Sequence, residues 1–217
     1  MLDVNSHAAI DELMRCGRSL VAQGWVLGRG GNLSARVDDT VIVTARGAAL
    51  DRLGPDDFVA VELPNGRVVG SGRPSSELAM HLAAYETDAT TRAVVHTHPP
   101  YAIACGVVGL ALPALTPDFY VVIGDQVPLL PYVQPGSQAL RDAVAAALRQ
   151  ASALLLQNHG MLAVGRSVDE ALLRTGLVEE AARILLAAHA SGLPVRILSE
   201  SDRAGLQAIR YAVQTST

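Results

Sequence analysis

Hydrophobic residues recur at helical spacing in several stretches of this chain and alternate with polar residues, or run together, in others. The first pattern predicts amphipathic helices, and the second predicts short β-strands. The predicted helices span residues 8–23, 75–85, 99–107, 137–150, 167–190 and about 201–213. The predicted strands span residues 40–44, 57–63, 67–69, 93–98, 153–157 and 161–164, after a glycine-rich, strand-like stretch at 24–37. Residues 110–133 contain four prolines and are predicted to form short strands and loops.

Turn signals between the early strands predict how those strands pair. Asp38-Asp39 and Pro64-Asn65-Gly66 each separate two short strands, which favours antiparallel hairpins. Strands with helices between and after them predict a mixed or antiparallel sheet covered by helices. No Gly-x-Gly-x-x-Gly follows a strand, so nothing here predicts a dinucleotide-binding fold.

Composition narrows the class of protein. The 217 residues, 50% of them hydrophobic, suit one globular unit, and we predict a single domain over residues 1–217. The net charge is −4 and the 17 lysines and arginines are scattered, so the basic surface of a nucleic-acid-binding protein is missing and a small molecule is the expected partner. Cys16 and Cys105 are too few for a disulfide framework and are predicted to be buried free thiols. No apolar run reaches the length of a membrane span and no signal-peptide pattern opens the chain, so we expect a cytoplasmic protein without a membrane partner.

The candidate chemistry centres on residues 93–100, where an apolar strand ends in His96-Thr97-His98 and two prolines follow. Histidines two residues apart on a strand project from the same face, and the prolines end the strand. Two imidazoles therefore converge at a strand end. This is half of a metal site, although a pair of surface or hydrogen-bonded histidines would show the same pattern.

His159 is the candidate third ligand because it follows a second buried strand, residues 153–157, in a position that mirrors the histidine pair. If the two strands are neighbours, three neutral imidazoles meet at one edge of the sheet. They would leave a bound metal its full charge and at least one open position. Such a site suits Lewis-acid catalysis and not a structural role.

The sequence Pro74-Ser75-Ser76-Glu77 opens one predicted helix. The free N–H groups and positive dipole end of that helix would bind an anion such as phosphate, with the two serine hydroxyls as further donors. Glu77 would be stabilised as a carboxylate in the first turn and could act as a base if it faces the metal site. A plain N-cap explains the same segment without any chemistry.

Four motifs follow one another along the chain: Gly31-Asn32-Leu33-Ser34, Pro74-Ser75-Ser76-Glu77, Val95-His96-Thr97-His98-Pro99 and Asn158-His159-Gly160. In this order and at these intervals they resemble the class II aldolase/adducin family, whose best known members act on fuculose 1-phosphate and ribulose 5-phosphate. The resemblance covers about residues 6–190. It implies an α/β (α+β) fold of three αβα layers with a largely antiparallel central sheet. It also implies a homotetramer with active sites at subunit interfaces.

The resemblance also implies roles for individual residues. One divalent ion per subunit would be bound, most often zinc, with manganese or cobalt as alternatives. Its ligands would be His96, His98 and His159. Glu77 looks like the acid/base, which also reaches the metal when no substrate is bound. The positions that match those holding substrate phosphate are Asn32, Gly47, Ser75 and Ser76.

Several reactions fit this set of residues, because any of them would pass through a metal-stabilised enediolate. They are retro-aldol cleavage, epimerisation by cleavage and re-addition, and decarboxylation of a 3-oxo acid. We expect a lyase that cleaves a C–C bond of a small phosphorylated hydroxy-carbonyl compound, with decarboxylation of a 3-oxo sugar acid as the alternative. A non-catalytic adducin-like module is a third hypothesis, against which the retained histidines and Glu77 argue.

The chain departs from the family pattern beside the predicted phosphate site. Family aldolases commonly carry a serine before the glycine of the loop after the early strand, where this chain has Arg46 before Gly47. Arg46, or Arg29 in the glycine-rich turn before Asn32, could hold phosphate or a carboxylate through paired hydrogen bonds. A solvated side chain explains either arginine equally simply.

Residues 115–120 are similar to the same segment of sugar-acid phosphate decarboxylases in the family. The fuculose phosphate enzymes of the family instead place a tyrosine nearer the position of Pro117. Tyr120 is still a candidate proton donor from a neighbouring subunit, with a packing role as the alternative. His7, His81 and His189 lie away from the four motifs and are predicted to have surface or packing roles.

Overall fold

The computed structural model describes residues 4–63 and 65–215. Residues 1–3, 216 and 217 of the predicted domain, and Pro64 of the predicted turn, therefore lie outside the described residues. The helices are α1 Val4–Ala22, α2 Leu78–Thr87, α3 Pro100–Val107, α4 Pro117–Val122, α5 Gln138–Leu148, α6 Val168–Ala190 and α7 Glu200–Thr215. The strands are β1 Asn32–Val37, β2 Thr40–Thr44, β3 Phe58–Glu62, β4 Val68–Val69, β5 Ala93–Thr97, β6 Leu112–Pro113, β7 Gln126–Val127, β8 Leu129–Leu130, β9 Ala153–Leu156 and β10 Gly160–Gly165.

Eight of these strands form one sheet in the order β4-β3-β2-β1-β5-β10-β9-β8. Every neighbouring pair is antiparallel except β8 and β9, which run parallel. Strands β6 and β7 pair separately. The predicted largely antiparallel sheet is confirmed. Strand β5, which leads into the histidine pair, lies in its middle between β1 and β10.

Helices cover both faces of the sheet, so the predicted three-layer arrangement is also confirmed. On one face, alternate strand residues such as Val94 and Leu162 pack against α2 and α5. On the other face, the intervening residues pack against α1 and α6, and against α3 and α4 further along the sheet. This alternation matters for the site, because His96 shares the parity of Val94 and therefore lies on the α2 side.

The start of α2 differs from the prediction. The helix begins at Leu78, with Glu77 at its N-cap, and not at residue 75. An isolated bridge between Ala45 and Pro74, and a hydrogen bond from Ser75 N–H to the Thr44 carbonyl, keep the preceding segment extended. Tertiary pairing with the loop after β2 therefore overrides the local helix signal.

Residues 110–133 also differ in part from the prediction of strands and loops alone. The short strands β6, β7 and β8 are present, but Pro117–Val122 forms helix α4. The Thr116 hydroxyl accepts a hydrogen bond from Phe119 N–H, and Pro117 occupies the first turn, where its missing N–H costs nothing. The four prolines led to a prediction of strands and loops, although Thr116 and Pro117 form a regular helix N-terminus.

The remaining sequence predictions concern cysteines and membranes. Cys16 and Cys105 are free and buried, as predicted, and burial raises their thiol pKa values to about 12 and about 11. Across residues 4–63 and 65–215, no helix combines the length and the apolarity needed to cross a bilayer.

Candidate metal and catalytic site

The order of the strands explains how residues distant in sequence meet. Asn32 on β1 lies opposite His96 on one side, and Leu162 on β10 lies opposite it on the other. His159 lies in the turn between β9 and β10. The strand before His159 is not a direct neighbour of the histidine strand, since β10 lies between β9 and β5. Strand β9 nevertheless runs in the same direction as β5, so both end at one edge.

The three histidines form a compact cluster at this edge. Their candidate ligand atoms all lie within 4.8 Å of one another. The His96 ring centroid is 4.8 Å from those of His98 and His159, which are themselves 5.3 Å apart. The structure therefore brings together the three residues that the sequence proposed as ligands.

The protonation of the cluster suits metal binding. The Nδ1–H of buried His96 donates to the Met161 carbonyl at 2.8 Å, which turns Nε2 towards the cluster as the candidate ligand atom. Burial lowers the pKa of His98 to about 4, and burial also lowers the pKa of His159. Both rings are therefore neutral at pH 7, and neutral imidazole is the form that binds a metal ion.

Glycines give the histidines the space they need. A Cβ on Gly31, whose φ is +71°, would lie 2.8 Å from the His96 carbonyl, and one on Gly30 would lie 2.8 Å from His98 Nδ1. A Cβ on Gly160 would collide with the Thr97 carbonyl and lie 2.6 Å from His98 Cδ2. No side chain fits at these three positions without moving the backbone or an imidazole.

Gly160→Ala is expected to lower both stability and metal affinity. The added methyl meets backbone at Thr97 and the ring of His98, so the unfolding free energy should fall by about 1–3 kcal/mol through overpacking. His98 should also be displaced, which weakens zinc binding. Chemical denaturation and zinc titration measure the two effects. The matched control is Gly205→Ala, where the added methyl meets nothing within 4 Å in α7. Equal zinc affinity in wild type and Gly160→Ala would contradict the expected displacement.

Glu77 is the carboxylate that faces the cluster. Its Oε2 lies 3.2 Å from His96 Nε2 and accepts a hydrogen bond from Asn32 Nδ2 at 2.8 Å. Its Oε1 is buried and lies 3.3 Å from His159 Nε2, yet it makes no hydrogen bond within the described part of the chain. Burial acts to raise the pKa of Glu77, but His96, Asn32 and His159 together hold that pKa well below its usual range.

These residues fit a divalent cation. The Nε2 atoms of His96 and His98 lie 3.1 Å apart. A tetrahedral ion with bonds of about 2.0–2.1 Å would separate its ligands by about 3.3 Å. The unpaired Oε1 of Glu77, buried beside the imidazoles, is a further polar atom that a cation would satisfy. Three neutral nitrogens leave such an ion its full charge and room for another ligand.

The segment predicted to bind an anion adjoins Glu77, but several of its backbone donors are already engaged. The Leu78 and Met80 N–H groups already bond to the Ser75 and Glu77 carbonyls, and Glu77 N–H bonds to Ser75 Oγ. The start of α2 therefore offers fewer free donors than the sequence suggested. The hydroxyl of exposed Ser76 remains available beside these groups.

The loop after β2 packs against the same serine segment. The bridge from Ala45 to Pro74, and a hydrogen bond from Arg46 N–H to the Arg73 carbonyl, hold the loop against the serine segment. A Cβ on Gly47 would lie 3.6 Å from Arg29 Nη1, so the Arg29 side chain reaches the same loop. Arg46, Gly47 and Arg29 are exposed. Arg29, the Gly47 loop and the serine segment are therefore neighbours in the structure.

Tyr120 lies apart from this group. It is 6% exposed, packs in the apolar cluster under α4 and α6, and has the Arg210 guanidinium 5.5 Å above its ring. Burial of this kind matches the packing alternative. Its role as a proton donor to a neighbouring subunit stays a prediction.

His81 has contacts that the sequence analysis missed. It is fully buried, and its Nε2 lies 2.5 Å from Asn32 Oδ1 while its Nδ1 lies 2.7 Å from Ser34 Oγ. A sequence signal existed, because His81 is four residues after Glu77 and so occupies the same face of α2 one turn later.

Comparisons with known proteins identify the family of this chain. The family model of the class II aldolase and adducin N-terminal domain matches residues 11–186. A 3-oxo-tetronate 4-phosphate decarboxylase of Cupriavidus necator is 35% identical over 179 residues, covering 80% of this chain and 82% of that protein. The L-fuculose phosphate aldolase of Escherichia coli strain K12 is 32% identical over 175 residues, covering 81% of each. A solved L-fuculose 1-phosphate aldolase superposes with a TM-score of 0.87 and 30% identity, over 95% of this chain and 96% of that one. The chain therefore belongs to the class II aldolase/adducin family.

Proposed function

We propose that this chain is a divalent-metal-dependent lyase that cleaves a carbon–carbon bond of a small phosphorylated hydroxy-carbonyl compound by retro-aldol chemistry. The observation that carries the proposal is the convergence of three imidazoles and one carboxylate at a single sheet edge, beside loops that bear serine and arginine. The similarity to proteins named L-fuculose phosphate aldolase supports the same class of substrate.

The histidine cluster would hold the metal ion. His96, His98 and His159 supply three nitrogen ligands, a set that favours zinc and also accepts manganese or cobalt. The bound ion supplies a Lewis acid that neutralises negative charge developing on a substrate oxygen. The Met161 carbonyl keeps the His96 ring in the orientation and tautomer that this requires.

Glu77 would hold and move the proton. Its lowered pKa keeps it ionised at neutral pH, so it begins the reaction as a base. Asn32 fixes Oε2, which leaves Oε1 as the atom free to take a proton from a substrate hydroxyl and return it later. The carboxylate is thus oriented before substrate arrives.

The loops around Gly47 and Ser75 would bind the substrate phosphate. Ser75 and Ser76 offer hydroxyls, and the backbone at Gly47 has no side chain to block a close approach. Asn32 has one amide N–H beyond the one it gives to Glu77, so it could contact phosphate and carboxylate at once.

Decarboxylation of a 3-oxo sugar acid phosphate is the second candidate, and the arginines favour it. Arg29 and Arg46 both reach the Gly47 loop, and a guanidinium binds a planar carboxylate through paired hydrogen bonds. A substrate with a carboxylate as well as a phosphate would use both positive charges. The Cupriavidus relative named 3-oxo-tetronate 4-phosphate decarboxylase supports this candidate.

A product assay tests the proposal and separates the two candidates. The purified chain, loaded with zinc, manganese or cobalt, would be offered phosphorylated keto-sugars, their non-phosphorylated forms and 3-oxo acid phosphates. Release of an aldehyde supports the aldolase, and release of carbon dioxide supports the decarboxylase. Absence of both products with every metal and substrate pair would contradict a lyase function.

Arg46→Gln is expected to weaken substrate binding with little effect on the chemical step. A charge-assisted hydrogen bond at an exposed site should be worth about 10-fold in KM, while kcat changes by less than about 3-fold. Steady-state kinetics on the preferred substrate measures both values. Arg52→Gln is the matched control, since Arg52 is exposed in the 3-10 helix Leu50–Arg52 that follows this loop. An unchanged KM would mean that Arg46 is a solvated side chain.

The proposal extends to assembly and location. Leu27, 81% exposed, adjoins the Gly30–Gly31 turn, and Tyr132, 56% exposed, is hydrogen-bonded through its N–H to Gln157 beside His159. Exposed apolar side chains on both sides of the site favour the homotetramer with active sites at subunit interfaces.

Residues 1–217 would act as one domain. Two free, buried thiols suit the cytoplasm.

A further inference from the structure

A line of polar groups runs through the apolar layer between β1 and α2. Ser34 and His81 are fully buried and Tyr85 is 2% exposed, among valines and leucines of the sheet and α5. The Tyr85 hydroxyl lies 2.7 Å from Ser34 Oγ, which lies 2.7 Å from His81 Nδ1. His81 Nε2 lies 2.5 Å from Asn32 Oδ1, and Asn32 Nδ2 lies 2.8 Å from Glu77 Oε2. The line therefore ends on the proposed acid/base.

The spacing of these residues explains why they meet. Glu77, His81 and Tyr85 are four residues apart on α2, so they form one stripe with a step of about 6 Å. Asn32 and Ser34 are two residues apart on β1, which gives one strand face a step of about 6.7 Å. The two steps nearly match, so the helix stripe and the strand face exchange hydrogen bonds residue by residue.

The hydrogen bonds of this line can run in only one direction. The Glu77 carboxylate can only accept, so Asn32 must present its amide nitrogen to Glu77 and its oxygen to His81. His81 must then carry its proton on Nε2, and its Nδ1 must accept from the Ser34 hydroxyl. Ser34 in turn accepts from Tyr85. Burial lowers the pKa of His81 to about 3 and raises that of Tyr85, so both groups keep the protonation that this direction needs.

We propose that His81, with Ser34 and Tyr85 behind it, is a positioning residue that fixes the Asn32 amide and, through it, the Glu77 carboxylate. This inference rests on the proposed role of Glu77. Without the His81 donor, the Asn32 amide could rotate by half a turn and present its oxygen to the carboxylate, which would repel Glu77 from its working position. The buried line opposes that rotation because the carboxylate at its end fixes which group donates and which accepts in every hydrogen bond of the line.

His81→Leu is expected to lower kcat by more than it raises KM, which changes only through the Asn32 amide, and to leave zinc content near its wild-type value. A misplaced catalytic group costs about 10-fold to 100-fold in kcat, whereas His81 touches neither the proposed metal ligands nor the phosphate loops. His81→Gln, which can still donate to Asn32 Oδ1, should restore most of the lost kcat. Val144→Ala, a buried change on α5 in the same apolar cluster, is the matched control for lost packing and should keep the wild-type kcat.

A second variant guards against a failure of His81→Leu to fold. Ser34→Ala removes the hydroxyl that donates to His81 Nδ1, so the ring loses one of the two hydrogen bonds that orient it towards Asn32, and kcat should again fall by about 10-fold. A readout independent of turnover is the exchange of the Asn32 side-chain amide protons with solvent, followed by NMR in metal-free protein. Exchange should be at least about 10-fold faster in either variant than in Val144→Ala.

A double-mutant cycle separates this inference from the function on which it rests. If His81 acts through Glu77, His81→Leu should cost nothing further in a Glu77→Gln background. A fall in kcat that is the same in both backgrounds, or a wild-type kcat and amide exchange in His81→Leu, overturns the positioning role. A wild-type kcat in Glu77→Gln alone would instead overturn the role proposed for Glu77.

Discussion

His96→Ala is expected to abolish both the binding of a divalent ion and measurable turnover. His96 is the central member of the cluster, since its ring is 4.8 Å from each of the other two and its Nε2 is 3.1 Å from that of His98. Even the loss of a group that only supports a ligand typically costs 10-fold to 100-fold in metal affinity. Removal of the ligand itself should therefore cost more than about 100-fold.

Metal content and kinetics test this expectation together. Wild type and variant would be dialysed against zinc, and the bound metal measured by mass spectrometry. Exposed His189 in α6 gives the matched control His189→Ala, which should keep both zinc and activity. Retained turnover in His96→Ala, or after exhaustive chelation of wild type, would contradict metal-dependent catalysis. A wild-type chain that binds no divalent ion at all would instead support the non-catalytic adducin-like module.

The sequence predicted this cluster because its signals are local. A separation of two residues along a strand places His96 and His98 on one face. A turn after a buried strand places His159 at a sheet edge. The order of the strands in the sheet could not be predicted from local signals, because strand pairing joins segments that are far apart in the chain. As a result the sequence could not predict that β10, and not β9, lies beside β5, nor that Asn32 lies opposite His96.

The same difference between local signals and long-range pairing explains what the sequence could not predict around Glu77. The Pro-Ser-Ser-Glu sequence is a sound helix start by local rules, yet the bridge from Ala45 to Pro74 delays the helix to Leu78. The polar line behind Glu77 needs the register of β1 against α2 as well as the periodicity of each. A single sequence supplies the periodicity but not the register, so it predicts only a surface or packing role for His81. Its burial fits packing, but its hydrogen bonds to Asn32 and Ser34 could not be predicted.

Glu77→Gln is expected to lower kcat by about 100-fold to 10,000-fold, the usual contribution of a positioned acid or base. The substitution keeps the size of the side chain and an oxygen that can accept from Asn32 Nδ2, so the change removes the proton acceptor and little else. Because the low pKa of Glu77 keeps the wild-type group ionised at neutral pH, the variant also removes one negative charge beside the cation site. Zinc affinity should therefore fall modestly, while KM for the phosphorylated substrate stays within about 3-fold because the phosphate loops are intact.

Glu86→Gln is the matched control for this prediction, since Glu86 lies on the same helix and pairs with Arg141 away from the cluster. Kinetics with saturating zinc separates loss of chemistry from loss of metal. If kcat recovers fully as zinc is raised, Glu77 acts on the ion and another group moves the proton. If kcat stays low in metal-saturated protein, the proton transfer belongs to Glu77, and the same variant tells the two candidate reactions apart.

Retro-aldol cleavage needs a base to deprotonate the substrate hydroxyl, whereas loss of carbon dioxide from a 3-oxo acid releases no proton from carbon or hydroxyl in the bond-breaking step. A decarboxylase would therefore keep much of its carbon dioxide release in Glu77→Gln, and an aldolase would lose its aldehyde.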